Sequence, residues 1–232
     1  MTEIGFNIKS WSAFAPELNS EQDWQDWANN EKSISSDFSL TPRVDFLPPL
    51  HRRRLSQLTK MSLRAAYDCA YNYQNYESVF ASRYGELAQT VKLLQSILSK
   101  EELSPAGFSL SVHNTSAGLY SLTQKNNAPY TAIAASELTF EAALIESVGR
   151  LQNVQYVLLV VGEEDVPELS GETPPFAVAF LLEKGQDFII KPSNQENIQS
   201  ENLSLDFLKW FLRNERTFQT NLYQINCHAK EK

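Results

Sequence analysis

Short apolar runs alternate with amphipathic stretches through most of this 232-residue chain, and that alternation is the tightest constraint on what it can become. A strand covered on both faces must be continuously apolar, and the next segment must return as a helix to cover it. SVFASRYG (78–85), FSLSVH (108–113), YTAIAA (130–135) and VQYVLLVVGEE (154–164) read as strands, with YTAIAA and VQYVLLVV buried on both faces. ELAQTVKLLQSILSK (86–100), TSAGLYSLTQK (115–125) and LTFEAALIESVGRL (138–151) read as the helices between them; in the first, Leu87, Val91, Leu94 and Leu98 recur at spacings of three and four. The pattern predicts an α/β fold with a mixed sheet between helical layers.

The flanks fit the same plan. IGFNIKSWSAFA (4–15) suits an opening strand or two short ones, and SEQDWQDW (20–27) a helix capped by Ser20, with Asp23 in its first turn and Trp24 and Trp27 on one face. Residues 28–50 are polar and then proline-rich, an ordered loop. LHRRRLSQLTKMSLRAAYDCAYNY carries Leu55, Leu58, Met61, Leu63, Ala65 and Ala66 at the spacing of a long, deeply packed helix that opens on its arginines. After a loop at 164–175, FAVAFLLE (176–183) and DFIIKP (187–192) look like a hairpin. The polar segment 193–202 leads to a last amphipathic helix, LSLDFLKWFLRNE, and NCHAKEK reads as a solvated tail.

Composition narrows the function. The formal charge of −8 argues against general nucleic-acid binding, which needs a basic face. Cys69 and Cys227 lie far apart and form no CxxC pair, so neither a metal site nor a disulfide framework is expected. The N-terminus lacks a basic region followed by an apolar one, and VQYVLLVV is too short to cross a bilayer, so a soluble, cytoplasmic protein is expected. Nothing in the sequence calls for a cofactor.

Chemistry concentrates in GFSLSVHNTSAGLYSL (107–122). A strand running into His113, Asn114, Thr115 and Ser116 and then into a helix is a layout that some enzymes use to hold a nucleophile. Free N–H groups at that helix start suit an oxyanion. The alternative is a plain helix cap. An acyl-thioester hydrolase or decarboxylase using His113 or Ser116 is conceivable, but there is no GxSxG, HExxH or Gly-rich phosphate loop. His51 with Arg52, Arg53 and Arg54 at a helix start opposes the macrodipole, which suggests an anionic partner or internal acids.

FSLSVHNTSAG resembles the strand and nucleophile elbow of β-ketoacyl synthases, enzymes of the thiolase fold, with Phe108, Leu110 and Ser111 on the strand and Asn114 where the family has its cysteine. LHRRRLSQLTKMSLRAAYD resembles the family's early Arg-rich helix, SVFASRYGEL the next strand and glycine turn, and YTAIAASELTFEAALIES the strand, small-residue loop and helix beyond the elbow. The likeness spans roughly residues 1 to 182. It implies one thiolase-like half-fold domain over 1–232, with the family's second half, its two histidines and its lysine unmatched.

A narrower resemblance is to the short ketosynthase-like chain length factors of aryl polyene clusters, with their SVHNTSAG-like turn and PLHRRRLSQLTKMSL-like helix. That implies a non-catalytic subunit paired with a catalytic β-ketoacyl synthase, whose polyene substrate rides on an acyl carrier protein. The resemblance makes Phe108, Leu110, Val112, His113, Asn114, Thr115, Ser116, Leu94 and Ile97 candidates for the interface or tunnel, with core packing the alternative for each leucine. FSLSVH would be the edge strand that meets the partner, and Asn114 would donate a hydrogen bond or fill the absent thiol's volume. Arg52, Arg53 and Arg54 become candidates for carrier-protein contact.

Overall fold

The computed structural model describes residues 3–35, 37–166, 174–193, 198 and 200–228. In chain order the elements are β1 (Ile4–Phe14), α1 (Glu21–Ala28), α2 (Pro49–Arg52), α3 (Gln57–Ala70), β2 (Glu77–Ala81), α4 (Leu87–Leu98), α5 (Pro105–Ser109), α6 (Thr115–Gln124), β3 (Tyr130–Ile133), α7 (Thr139–Arg150), β4 (Tyr156–Glu163), β5 (Phe176–Lys184), β6 (Phe188–Pro192), α8 (Leu203–Leu212), β7 (Thr217–Gln219) and β8 (Tyr223–Cys227). The strands form one eight-stranded mixed sheet in the order β3-β2-β4-β5-β1-β6-β8-β7. Only β2 with β3 and β2 with β4 run parallel.

Two apolar layers sandwich this sheet, as the strand–helix alternation requires. On β5 the alternation sorts residues by size. Phe176, Val178, Phe180 and Leu182 face α1, α7 and α8, while Ala177, Ala179 and Leu181 face α3 and α6. The large face meets a ring cluster in which Phe207 lies 5.1 Å from Phe140, 5.2 Å from Phe180, 5.3 Å from Trp210 and 5.4 Å from Phe218. The small face lets α3 lie close to the sheet. A Cβ on Gly162 would come within 3.2 Å of Leu58 and 3.1 Å of the Phe176 carbonyl, so the glycine is what permits the approach.

Local signals behave as the side chains dictate. Ser20 accepts the Asp23 N–H, and the Asp23 carboxylate returns a bond to the Ser20 N–H, so α1 begins on a full capping box. Trp24 and Trp27 meet edge-on at 5.3 Å.

Several expectations are corrected. No strand forms over 108–113: Pro105 starts a short helix capped by Ser104, and the chain then turns through 110–114. The long helix begins at Gln57, not among the arginines, because Ser56 accepts the Thr59 N–H and starts a fresh helix after the Pro49 turn. The macrodipole conflict at Arg52–Arg54 therefore does not arise. β3 is an edge strand with Tyr130 exposed and the rest half-buried, because β2 covers only one side of it. β5 and β6 are not a hairpin, since β1 lies between them and pairs with both. The tail residues up to Cys227 belong to β8, where Ile225 is fully buried and the Tyr223 hydroxyl donates to the Glu141 carbonyl. The expected loops at 164–175 and 193–202 lie partly outside the described residues.

Phe207 sits at the centre of the aromatic layer and is fully buried. Phe207→Ala is expected to cost about 3–5 kcal/mol in denaturant unfolding; a loss below about 1 kcal/mol would show that the cluster is not the main core on that face.

Candidate functional site

Open α/β sheets place their chemistry beyond the carboxyl ends of the parallel strands. Here β2, β3 and β4 end side by side, and the Ser82 N–H donates to the Ile133 carbonyl at 3.2 Å, which ties the ends of β2 and β3 together. Three turns leave this edge: Ser82–Gly85 after β2, Ala134–Leu138 after β3, and Glu163–Glu164 after β4.

A strand–turn–helix layout, expected at 107–122 but absent there, occurs at the turn after β3. The apolar strand ends at Ile133, Ser136 has φ +54°, a 3₁₀ turn spans Ser136–Leu138, and α7 follows. A serine in the left-handed region is strained backbone of the kind that collects at functional sites. It is held there because Thr139 accepts the Ala135 N–H at 3.0 Å and donates to the Ser136 carbonyl at 2.7 Å. The exposed tip carries Ser136 and Glu137. The Ser136 hydroxyl donates to Glu137 at 3.0 Å, and Arg83 pairs with Glu137 at 2.7 Å while lying over the Tyr84 ring. The serine hydroxyl first, then Glu137's own N–H and the guanidinium, hold its carboxyl below the usual carboxylate range, so it is ionised and a weak base.

The Glu163 carboxylate accepts the Ser82 hydroxyl at 2.9 Å and the N–H groups of Arg83 and Tyr84, which locks the β2 turn onto β4. Burial nevertheless raises its pKa. Arg83, Tyr84, Ser136, Glu137, Glu163 and Asn202 line a cavity of about 600 Å³ here.

On the other side of the same edge lies a buried polar junction. Ser116, at the start of α6, meets the Thr59 hydroxyl at 3.0 Å, and Thr59 donates to Glu86 at 2.6 Å, so the serine is the donor in the first contact. Ser56 also donates to Glu86, at 3.0 Å. Glu164 accepts the Leu58 N–H at 3.0 Å through one oxygen, while its other oxygen is buried with no hydrogen-bond partner. Burial pushes the Glu164 carboxyl up to about 7, with the Leu58 N–H opposing.

His113 closes the turn after β2. Its Nε2 lies 3.0 Å from the Ser82 carbonyl; a carbonyl only accepts, so Nε2 carries the proton. Its ring packs on Gly85, whose φ is +55° and where a Cβ would stand 2.6 Å from the imidazole. Only glycine fits that position.

The expected site residues therefore divide. Thr115 and Ser116 are buried, His113 and Asn114 are exposed, and His113 and Ser116 are bonded to different partners rather than to one another. No strand precedes Asn114, so the elbow geometry that placed it at the tip of a nucleophile turn is absent there. Phe108 is 67% exposed, Leu94 54%, Ile97 53% and Val112 48%, whereas Leu110 is half-buried. α4 buries none of its residues, so its apolar face is open rather than packed in the core. Arg52 pairs with Asp45, while Arg53 and Arg54 are exposed with no ion pair among the described residues.

Arg83, Ser136, Glu137 and the three carboxylates were missed by the site reading. The signals for them were the EE that ends an apolar strand and the small-residue run IAAS before an amphipathic helix. Cys69 is buried against Ser10, its thiol pushed up to about 12 by burial, and Cys227 lies on β8, so neither reaches these turns. Among the described residues no group of three or more His, Cys, Asp or Glu is arranged to hold a metal, and no helix is long and apolar enough to cross a membrane.

Known proteins place this architecture. Residues 24–226 match the family described as "Beta-ketoacyl synthase, N-terminal domain". Among solved structures, a chain of the complex "Ketosynthase (ApeO) in Complex with its Chain Length Factor (ApeC)" from Xenorhabdus doucetiae superposes with TM-score 0.85 and 28% identity, over 96% of this chain and 98% of that one. "The ishigamide ketosynthase/chain length factor" shares the fold at TM-score 0.62 and 15% identity, over 84% of this chain and 68% of that one. A β-ketoacyl synthase from Burkholderia phymatum STM815 does so at 0.62 and 10%, over 92% and 71%. No curated protein sequence matches the chain. With the thiolase-like sheet, the end-on turns and a match over most of its length, the chain belongs to the β-ketoacyl synthase N-terminal-domain family.

Proposed function

We propose that the chain is a non-catalytic ketosynthase-like subunit, a chain length factor. In this reading it pairs with a catalytic β-ketoacyl synthase and shapes the acyl tunnel during polyketide-type elongation on an acyl carrier protein. The observation that carries the reading is the end-to-end likeness to one chain of a ketosynthase–chain length factor complex, at 28% identity.

Two physical features support it. The first is the segment from α4 through α5 to Val112, which turns Leu94, Ile97, Leu98, Leu103, Phe108 and Val112 toward water. A stretch with that much exposed apolar surface is costly in a soluble monomer and suits a protein partner. The second is the elbow after β3, which carries Ser136 and an ionised Glu137 where a ketosynthase needs a thiol, while both cysteines lie elsewhere. Without a thiolate the covalent acyl intermediate has no nucleophile. The hydrolase alternative is weakened by the bonding of His113 to Ser82 and of Ser116 to Thr59, which leaves neither group to activate the other. Arg53 and Arg54, exposed and without ion pairs among the described residues, are proposed to meet the acidic carrier protein.

Co-expression with a catalytic β-ketoacyl synthase partner is expected to give a stable hetero-oligomer burying more than roughly 2,000 Å². Leu94→Glu with Phe108→Glu should weaken that pairing by about 30-fold or more while leaving the melting temperature near wild type, because both residues are exposed. A well-behaved monomer that passes the ketosynthase without binding in size-exclusion runs contradicts the reading. Incubation with acyl and malonyl carrier-protein thioesters should leave the intact mass unchanged; an acyl adduct on the isolated chain would make it an enzyme.

A further inference from the structure

The α4–α5 arm leaves the sheet edge at Glu86 and returns to it at His113, whose ring rests on Gly85. Since α4 buries none of its residues, the arm is secured chiefly at this root. Two nearly fully buried acids meet there, Glu86 at 4% exposure and Glu164 at 5%. They grip neighbouring residues of one helical turn. Glu86 takes the hydroxyls of Ser56 and Thr59, and Glu164 takes the N–H of Leu58. Three donors satisfy the pair, yet one Glu164 oxygen stays buried and unpartnered. A second full negative charge here would leave that oxygen buried without a hydrogen-bond donor.

We propose that Glu86 and Glu164 form a one-proton latch: the pair holding one proton fastens the arm to the first turn of α3, and loss of that proton loosens the root. The groups facing the pair are Lys92 on α4, Glu163 at the end of β4 and His113 before α6. Glu163 adds repulsion, and Lys92 relieves part of it. Burial raises both carboxyls, Glu164 to about 7, so the folded chain keeps a proton that the unfolded chain has already released. Stability from this proton is complete below the ordinary carboxylate pKa and is lost as pH rises through about 7. The latch acts within the single chain; only its consequence for pairing rests on the function proposed above.

Trypsin cleavage at Lys92 and Lys100, normalised to a short reference peptide at each pH, reads the arm directly in the full chain. Cleavage should rise about tenfold or more between about pH 6 and pH 8.5. Glu164→Gln, neutral at every pH, should stay slow throughout and flatten the fall of melting temperature over the same range. Glu86→Gln, which takes away the neighbouring charge that raises the Glu164 carboxyl, should move the rise to lower pH, and His113→Gln should keep the wild-type midpoint. The latch is overturned by flat wild-type cleavage, by a rise that persists in Glu164→Gln, or by a rise that disappears in His113→Gln. These readouts need no ketosynthase, so failure of the latch and failure of the pairing proposal are separable.

Discussion

The close seat of α3 on the sheet is the contact from which the rest follows. Ala177 and Ala179 on β5, with Gly162 on β4, remove the side chains that would hold the helix away. Seated there, α3 is nearly fully buried along its inner face, from Leu58 and Met61 to Cys69 and Ala70. Its first turn is thereby delivered to the carboxyl ends of the parallel strands. The polar groups gathered there follow from that placement: a buried helix start must find acceptors for its N–H groups, and Ser56 and Glu164 supply them. Position on the sheet and chemistry at the edge have one cause.

The same edge explains the chain's incomplete look as a folded unit. Sheet, α3 and the aromatic layer bury their apolar residues thoroughly. The α4–α5 arm does the opposite and presents leucine, isoleucine and phenylalanine to water. Its sequence pattern is that of an amphipathic helix seeking cover, and no element among the described residues supplies it. The turn after β3 holds Ser136 in the left-handed region, with Glu137 beside it and Arg83 reaching across from the turn after β2.

Much of this could be read from the sequence, and the failures have physical causes. The apolar runs at 78–81 and 156–161, the capping box of α1 and the period of α6 and α7 are local signals, and each survives in the fold. FSLSVH failed because alternation over six residues is weak evidence against Ser104 and Pro105, which start a helix just upstream. Losing that strand also removed the reason for setting Asn114 at a nucleophile's position; a strand–turn–helix layout occurs after β3 instead. YTAIAA looked doubly buried because its residues are small and apolar, but burial depends on neighbouring strands that no local window contains. β7 and β8 are short and rich in polar residues, so only the pairing of β8 with β6, and of β7 with β8, reveals them. Glu86, Glu137 and the Glu163–Glu164 pair lie far apart in sequence, and only the sheet brings them together.

In the proposed function a ketosynthase covers the α4–α5 face. Amide hydrogen exchange over 87–112, compared between the chain alone and its co-purified complex, tests this most directly. Exchange in the arm should slow by about a hundredfold or more on pairing, with the β4–β5 core unchanged. An arm that exchanges equally fast in both states, with protection falling elsewhere, would contradict the claim.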